Sequence, residues 1–293
     1  MIQELVSHCS SCYDLEVGKV PFANANCVSC VDCLKEIHFN HNSDRKYDCP
    51  AMCHYYVCQN IYRYASEMVW LFHDSLLGLR QRKDSLNICS IGCGPCSELV
   101  AFEEYHKRYQ LSFEFTYEGF DTNKIWEPVQ NYVKSIASNP ENITFHDTNV
   151  FDYYEQSDTK PDLIILNYVL SDMLNHDKEE FESFLSRLEE FVKVLPSCAI
   201  LINDINLGMN DSQPRKYYSD IYKMTLKHTQ PGKFVARGGH FKDSKKNYFQ
   251  YGVERPHSNM LFDIPDEISS KFVTNTECHS AQLLIIKKKQ EAI

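Results

Sequence analysis

From residue 86 onward, short apolar runs alternate with amphipathic stretches of helical period, a pattern that few folds accept. The runs at 86–92, 113–121, 142–147, 162–170 and 198–204 have strand length. The segments at 97–109, 123–138 and 178–195 place apolar residues at helical spacing. Strands that alternate with helices predict a parallel sheet covered on both faces. The unbroken apolar character of 162–170 is what a strand buried on both sides requires. Two late strand candidates, 246–254 and 282–289, have no long helix between them and predict a closing antiparallel pair. The expected fold is α/β, with a doubly wound, mostly parallel, seven-stranded Rossmann-like sheet.

The first 58 residues read differently. They are short of aliphatic periodicity and hold eight of the thirteen cysteines. Cys9-x2-Cys12, Cys27-x2-Cys30-x2-Cys33 and Cys49-x3-Cys53-x4-Cys58 have the close pairing by which thiolates grip a metal from tight turns. Eight thiols suffice for two four-ligand zinc sites, with His38, His41 and His54 as spare donors; an iron–sulfur cluster is the alternative. So small a segment buries little core, which makes a metal staple the expected solution. The predicted organisation is a cysteine-rich metal-binding module over 1–58 and an α/β domain over 59–293, entered through a helix within 59–85. No stretch approaches the roughly 20 apolar residues of a membrane span, and nothing resembles a secretory signal. The expectation is a soluble, intracellular, cytoplasmic protein.

The sharpest local feature is the loop Gly92-Cys93-Gly94-Pro95-Cys96-Ser97, which follows an apolar strand and opens a helix. Glycines there permit a tight turn and close approach of a ligand to the backbone. The loop and the alternation after it resemble the class I S-adenosylmethionine-dependent methyltransferase superfamily, over roughly residues 60–293. The resemblance implies the methyltransferase form of the fold, with S-adenosylmethionine as methyl donor. It places Gly92, Cys93 and Gly94 in the glycine-rich loop. Cys96 stands where the family has a third glycine, and Ser90 where it has an acid at the strand end. Asp121, 27 positions after Gly94, takes the place of the carboxylate that accepts the ribose hydroxyls, with Glu118 as the fallback. Asn149, or Asp147, falls where the family sets a polar group against the adenine. Asn167 faces the donor's amino-acid moiety or the acceptor. Asp172, Asp204 and His240 are candidate bases, and Asn167 and Asp172 are the candidate catalytic residues. Each also has a plainer reading, since Asp121-Thr122-Asn123 makes a good helix cap and Asn167 a good strand stop.

Two motifs point elsewhere. Cys89-x3-Cys93-x2-Cys96 has the spacing of radical S-adenosylmethionine enzymes, but Cys89 sits inside an apolar strand, where a small buried residue fits. The segment after Asn167 lacks the Pro-Pro of nucleic-acid amino methyltransferases and the Pro-Cys of cytosine-C5 enzymes.

The acceptor is not written in these motifs. Residues 205–255 hold ten Lys/Arg against four Asp/Glu, a balance of +6, while the rest of the chain carries −16. Tyr217, Tyr218, Tyr222, Phe234, Phe241, Tyr248 and Tyr251 are interleaved with those charges. Such a segment suits RNA, through stacking and phosphate neutralisation. A second reading packs the aromatics in the core under a solvated charged face. A protein or small-molecule acceptor, or a non-catalytic donor-binding scaffold that docks a partner, are the rivals. Filter binding of total cellular RNA at two salt concentrations separates them. On the RNA reading, joint replacement of Arg215, Lys216 and Lys223 by Ala lowers both affinity and its salt dependence. No retention at low salt by the wild-type protein rejects RNA.

Overall fold

The computed structural model describes residues 1–17, 29–39, 46–79, 85–205, 221, 234–240 and 260–287. Three helices come first: α1 (Ile2–Val17), α2 (Cys30–Phe39) and the 30-residue α3 (Pro50–Leu79). Then follow β1 (Ser85–Ile91), α4 (Ser97–Arg108), β2 (Glu114–Phe120), α5 (Glu127–Ser135), β3 (Ile143–His146), α6 (Val150–Gln156) and β4 (Leu163–Asn167). The chain continues through α7 (Leu170–His176), α8 (Lys178–Val194), β5 (Cys198–Ile205), β6 (Phe234–His240), α9 (Asp266–Lys271) and β7 (Ser280–Lys287).

The sheet runs β3-β2-β1-β4-β5-β7, with the backbone of β6 paired along the outer side of β7. The pairs among β1 to β5 are parallel, and β7 lies antiparallel to both neighbours. Strand order reverses between β1 and β4, so a crevice opens beyond their carboxyl ends. The mostly parallel α/β sheet therefore agrees with the sequence reading. The expected strand over 246–254 lies outside the described residues, and the strand that pairs with β7 is Phe234–His240. Its two glycines and flanking charges concealed it among loop residues.

Each face of the sheet has its own core. One unites α1–α5 with Ile88, Phe115, Tyr117, Ile165 and Leu201; the other packs α6 and α8 on Cys89, Phe120, Ile164, Leu166 and Ile202. Cys89 thus belongs to one core, and Cys93 and Cys96 to the other, so the three thiols do not converge on one cluster.

The metal module expected of the cysteine-rich segment is not shown among the described residues. Of its eight candidate metal ligands, Cys27 lies outside the described residues, and the other seven are on helices or, for Cys49, just before one. Cys9, Cys30, Cys33, Cys49, Cys53 and Cys58 are buried in the shared core, and Cys12 is partly exposed. Among the described residues, no three Cys, His, Asp or Glu side chains gather to hold a metal ion. The spare histidines are otherwise engaged: His54 Nδ1 is 2.8 Å from Glu16, and His38 Nε2 is 3.1 Å from the Tyr47 hydroxyl. His41 lies outside the described residues. The helices themselves follow from periodicity. Ile2, Leu5, Val6 and Cys9 repeat at i, i+3, i+4 and i+7, as do Cys30, Cys33, Leu34 and Ile37. Cysteine serves here as a small apolar residue. The expected boundary at 58/59 falls inside α3, which packs against α1 and α4 alike.

None of the helices, among the described residues, is long and apolar enough to cross a membrane.

Burial raises the pKa of Cys58 to about 12, and raises those of Cys9 and Cys53 further. These thiols are therefore protonated at neutral pH. Alkylation of native protein at pH 8, read residue by residue by mass spectrometry, is expected to spare Cys9, Cys53 and Cys58 equally with and without a chelator. Labelling that appears only after chelation would restore the metal reading.

Candidate functional site

Tight turning after β1 places the glycine loop at the strand-order reversal. Gly92 and Gly94 adopt φ of +65° and +45°, the left-handed region that glycine enters freely. A Cβ at Gly92 would collide with the Val169 side chain. Cys96, where the family has its third glycine, adopts φ +61° as the residue before α4. The loop's donors are spent within the protein. Gly92 and Cys93 N–H donate to the Phe120 carbonyl at 2.8 and 3.1 Å, and Cys96 N–H to that of Cys93 at 2.7 Å. Gly94 N–H donates to Asp121 Oδ2 at 2.8 Å, and Pro95 has no N–H.

Asp121 follows β2 and ties this loop to the next turn, because its Oδ1 accepts from Asn123 N–H at 2.8 Å. Burial raises its pKa against those two hydrogen bonds, and nearby Asp172 adds to the rise. A carboxylate oxygen accepts more than one hydrogen bond, so both remain usable by a ligand.

A cavity of about 770 Å³ occupies the crevice. Gly92, Cys93, Gly94, Asp121, Asn149, Asn167 and Asp172, all singled out from sequence, line it. Asn149 also caps α6, its side chain accepting from Phe151 N–H at 3.0 Å. Asn167 is held at both ends: Nδ2 donates to Ser97 Oγ and Oδ1 accepts from Asn203, each at 2.9 Å.

Other candidates fall elsewhere. Ser90 is buried and donates to Glu98 Oε1 at 2.7 Å, away from the cavity lining. Asp147 is exposed and paired with Lys124 at 2.5 Å. Glu118 accepts from Tyr153 and Tyr154 hydroxyls at 2.6 Å each and does not line the cavity. Asp204 is fully buried, and its Oδ2 accepts from Leu170 and Ser171 N–H at 3.1 and 3.0 Å, which makes it the cap of α7. The His240 side chain lies outside the described residues, as do Arg215, Lys216, Lys223 and most of 205–255.

Sequence reasoning missed the other wall. Tyr47, Tyr56, Tyr64, Asn60 and Arg63 come from α3 and the segment before it, and Asn275 and His279 from the approach to β7. Tyr64 stacks on Tyr168 with centroids 4.0 Å apart, and Tyr56 and Tyr47 pack against Trp126 at 5.7 and 5.3 Å. Tyr56, Asn60, Arg63, Tyr64 and Glu67 recur at helical spacing, the one signal that could have revealed this wall.

No protein-family model matches the chain, and no curated protein matches it by sequence. Among solved structures it is similar to the plantazolicin methyltransferase BpumL in complex with SAH, at 15% identity and TM-score 0.48, over 99% of this chain and 100% of that one. It is also similar to the plantazolicin methyltransferase BamL, at 12% identity and TM-score 0.44, over 79% and 86% of the two chains. For an rRNA methylase from Streptococcus thermophilus the values are 11%, 0.40, and 71% and 89%. Likeness at this level assigns no activity.

The loop geometry makes Gly92 a sensitive position. Gly92→Ala is expected to cost about 2 kcal/mol of stability from the left-handed backbone and the clash with Val169, read as a lowered urea midpoint. Unchanged stability would mean the loop is laxer than described.

Proposed function

We propose that the protein is an S-adenosylmethionine-dependent methyltransferase whose donor lies along Asp121, the glycine loop and Asn149, and whose acceptor enters against the tyrosine wall. The observation that carries this reading is the position of Asp121, a carboxylate that ties the glycine loop to the following turn at the strand-order reversal and lines the cavity. Asp121 offers acceptors to a ribose, while Gly92, Cys93, Gly94 and Cys96 have their donors engaged internally. An adenosyl sulfonium carries no phosphate, and a carboxylate at the end of the second strand suits its ribose hydroxyls.

When bound, the donor supplies a methyl group on a positively charged sulfur. That methyl group would pass to a lone pair of the acceptor as the electron pair of the carbon–sulfur bond returned to sulfur. The chain's part is alignment and proton removal. Tyr168, at φ +56° directly after Asn167, is pinned by its N–H to the Asn203 carbonyl at 2.8 Å and by its hydroxyl to Glu67 at 2.9 Å. Asp172, on the cavity wall close to Tyr47 and Tyr56, is the carboxylate placed to take the acceptor's proton. The cavity falls within the 300–1,000 Å³ range of small-molecule sites, which favours a small acceptor or an inserted side chain. RNA as acceptor rests on the charge and interleaved aromatics of 205–255, which lie almost wholly outside the described residues.

Calorimetry with S-adenosylhomocysteine tests the donor site. Asp121→Ala is expected to weaken binding by about 1.5–3 kcal/mol, roughly 10- to 100-fold. Because burial raises the Asp121 pKa, its acceptor function is complete above that raised value and is lost as pH falls through it. Affinity should therefore begin to fall at a higher pH than an exposed Asp would dictate. A folded Asp121→Ala variant with undiminished affinity rejects this donor site.

A further inference from the structure

Arg63 lies on α3 in the cavity wall, and among the described residues no carboxylate forms an ion pair with it. One nitrogen, Nη2, donates to Asn60 Oδ1 at 3.3 Å. Nε is buried with no hydrogen-bond partner. The guanidinium carbon lies 4.8 Å from the ring centroid of Tyr64 and 5.5 Å from that of Tyr168, which fixes its plane. Glu67, one turn along α3, is already committed. Its oxygens accept from the Tyr168 hydroxyl, Asn203 Nδ2, and the N–H groups of His279 and Ser280. Burial works against the Arg63 charge, but the phenol oxygens of Tyr168 and Tyr64 together with Glu67 hold the group protonated.

Arg63 is half-buried and carries a buried, unpaired Nε, which is costly unless an acceptor meets it. Its fork matches a carboxylate in two parallel hydrogen bonds. We propose that Arg63 is the carboxylate anchor of this cavity, gripping a carboxylate of the bound ligands and thereby orienting them at the end of β4. The site suits a monoanion better than a phosphate. It presents one guanidinium flanked by the amides of Asn60 and Asn275, which are themselves bonded at 3.2 Å. Two ligands could bring that carboxylate: the amino-acid end of the methyl donor, or the acceptor itself. The first source rests on the proposed donor site; the second does not.

The test uses the full chain, wild type against Arg63→Met and Arg63→Lys, with folding checked by circular dichroism. Calorimetry compares S-adenosylhomocysteine with 5′-methylthioadenosine, which lacks the amino-acid end. Saturation-transfer NMR compares benzoate with uncharged benzamide, on free and S-adenosylhomocysteine-saturated protein. If the donor's carboxylate is held, wild type prefers S-adenosylhomocysteine by roughly 10- to 100-fold, Arg63→Met loses that preference, and Arg63→Lys keeps part of it. If the acceptor's carboxylate is held, the preference survives in Arg63→Met. Saturated wild type then gives a benzoate signal that benzamide lacks and Arg63→Met abolishes. An Arg63→Met protein that retains both the nucleoside preference and the benzoate signal overturns the anchor, as does a wild type with neither. Failure of both nucleosides to bind wild type refutes the donor site instead, and benzoate against benzamide on the free protein still decides Arg63.

Discussion

The carboxylate of Glu67 joins the two halves of this molecule. Fully buried on α3, it accepts hydrogen bonds from the side chains of Tyr168 and Asn203 and from the backbone at the start of β7. Asn203 extends the connection: its Oδ1 accepts from Ser280 Oγ at 2.6 Å and Gln282 Nε2 at 3.0 Å, and its Nδ2 reaches Asn167. Asn167 in turn reaches Ser97 at the start of α4. One acidic side chain thus brings the ends of β4, β5 and β7 into register with the N-terminal helical layer. An apolar residue at 67 would strand several buried donors, each costing about 1–3 kcal/mol. Packing alone would leave α3 free to slide along its axis; these directional bonds do not, and the cavity between α3 and the sheet inherits that precision.

The glycine loop depends on a second buried acid. Glu98, at the start of α4, accepts from Ser90 Oγ at 2.7 Å and from the Tyr117 hydroxyl at 2.6 Å, and burial raises its pKa. The strand-end acid expected from the family resemblance is missing from β1, yet a carboxylate stands bonded to the residue that replaces it, delivered from the helix on the other side of the loop. Together with Asp121, which holds Gly94 from β2, this anchors the turn from both flanks. Anchoring of this kind helps explain how Cys96 persists in a left-handed conformation that glycine would adopt without strain.

The sheet was legible because burial on both faces writes itself as unbroken apolar strands such as 162–170, and because periodic helices stand between them. Asp121 was legible through its distance from the loop. The N-terminal layer was not, because its cysteines have two chemistries. Counted as ligands, Cys9 and Cys12 or Cys30 and Cys33 are metal pairs; counted as small apolar residues, they complete helical stripes with Leu5, Val6, Leu34 and Ile37. Nothing local separates the two, since a spacing of three residues suits both a metal knuckle and one turn of helix. Glu67 and Arg63 were overlooked for a related reason. On a helix read by its apolar stripe, charged residues are assigned to solvent by default, and only tertiary contact from residues 136 and 213 positions away reveals that Glu67 is internal.

The two walls of the cavity therefore have different origins. One is made by strand ends and the loops that follow them, elements whose geometry is dictated by the parallel sheet and its strand reversal. The other is made by α3, the residues just before it and the approach to β7, which the sheet does not require. On the proposed function the donor lies along the first wall and the acceptor enters against the second, so the acceptor could change without disturbing the first. The proposed acceptor then meets the side chains of Tyr47, Tyr56 and Tyr64 on that wall. Glu67 sits on the same helix as Tyr56, Tyr64 and Arg63, so the bond that docks the helical layer also sets the distance between the two walls. The second wall and the docking bonds share one helix, and a change in how α3 is seated would be felt first at that wall.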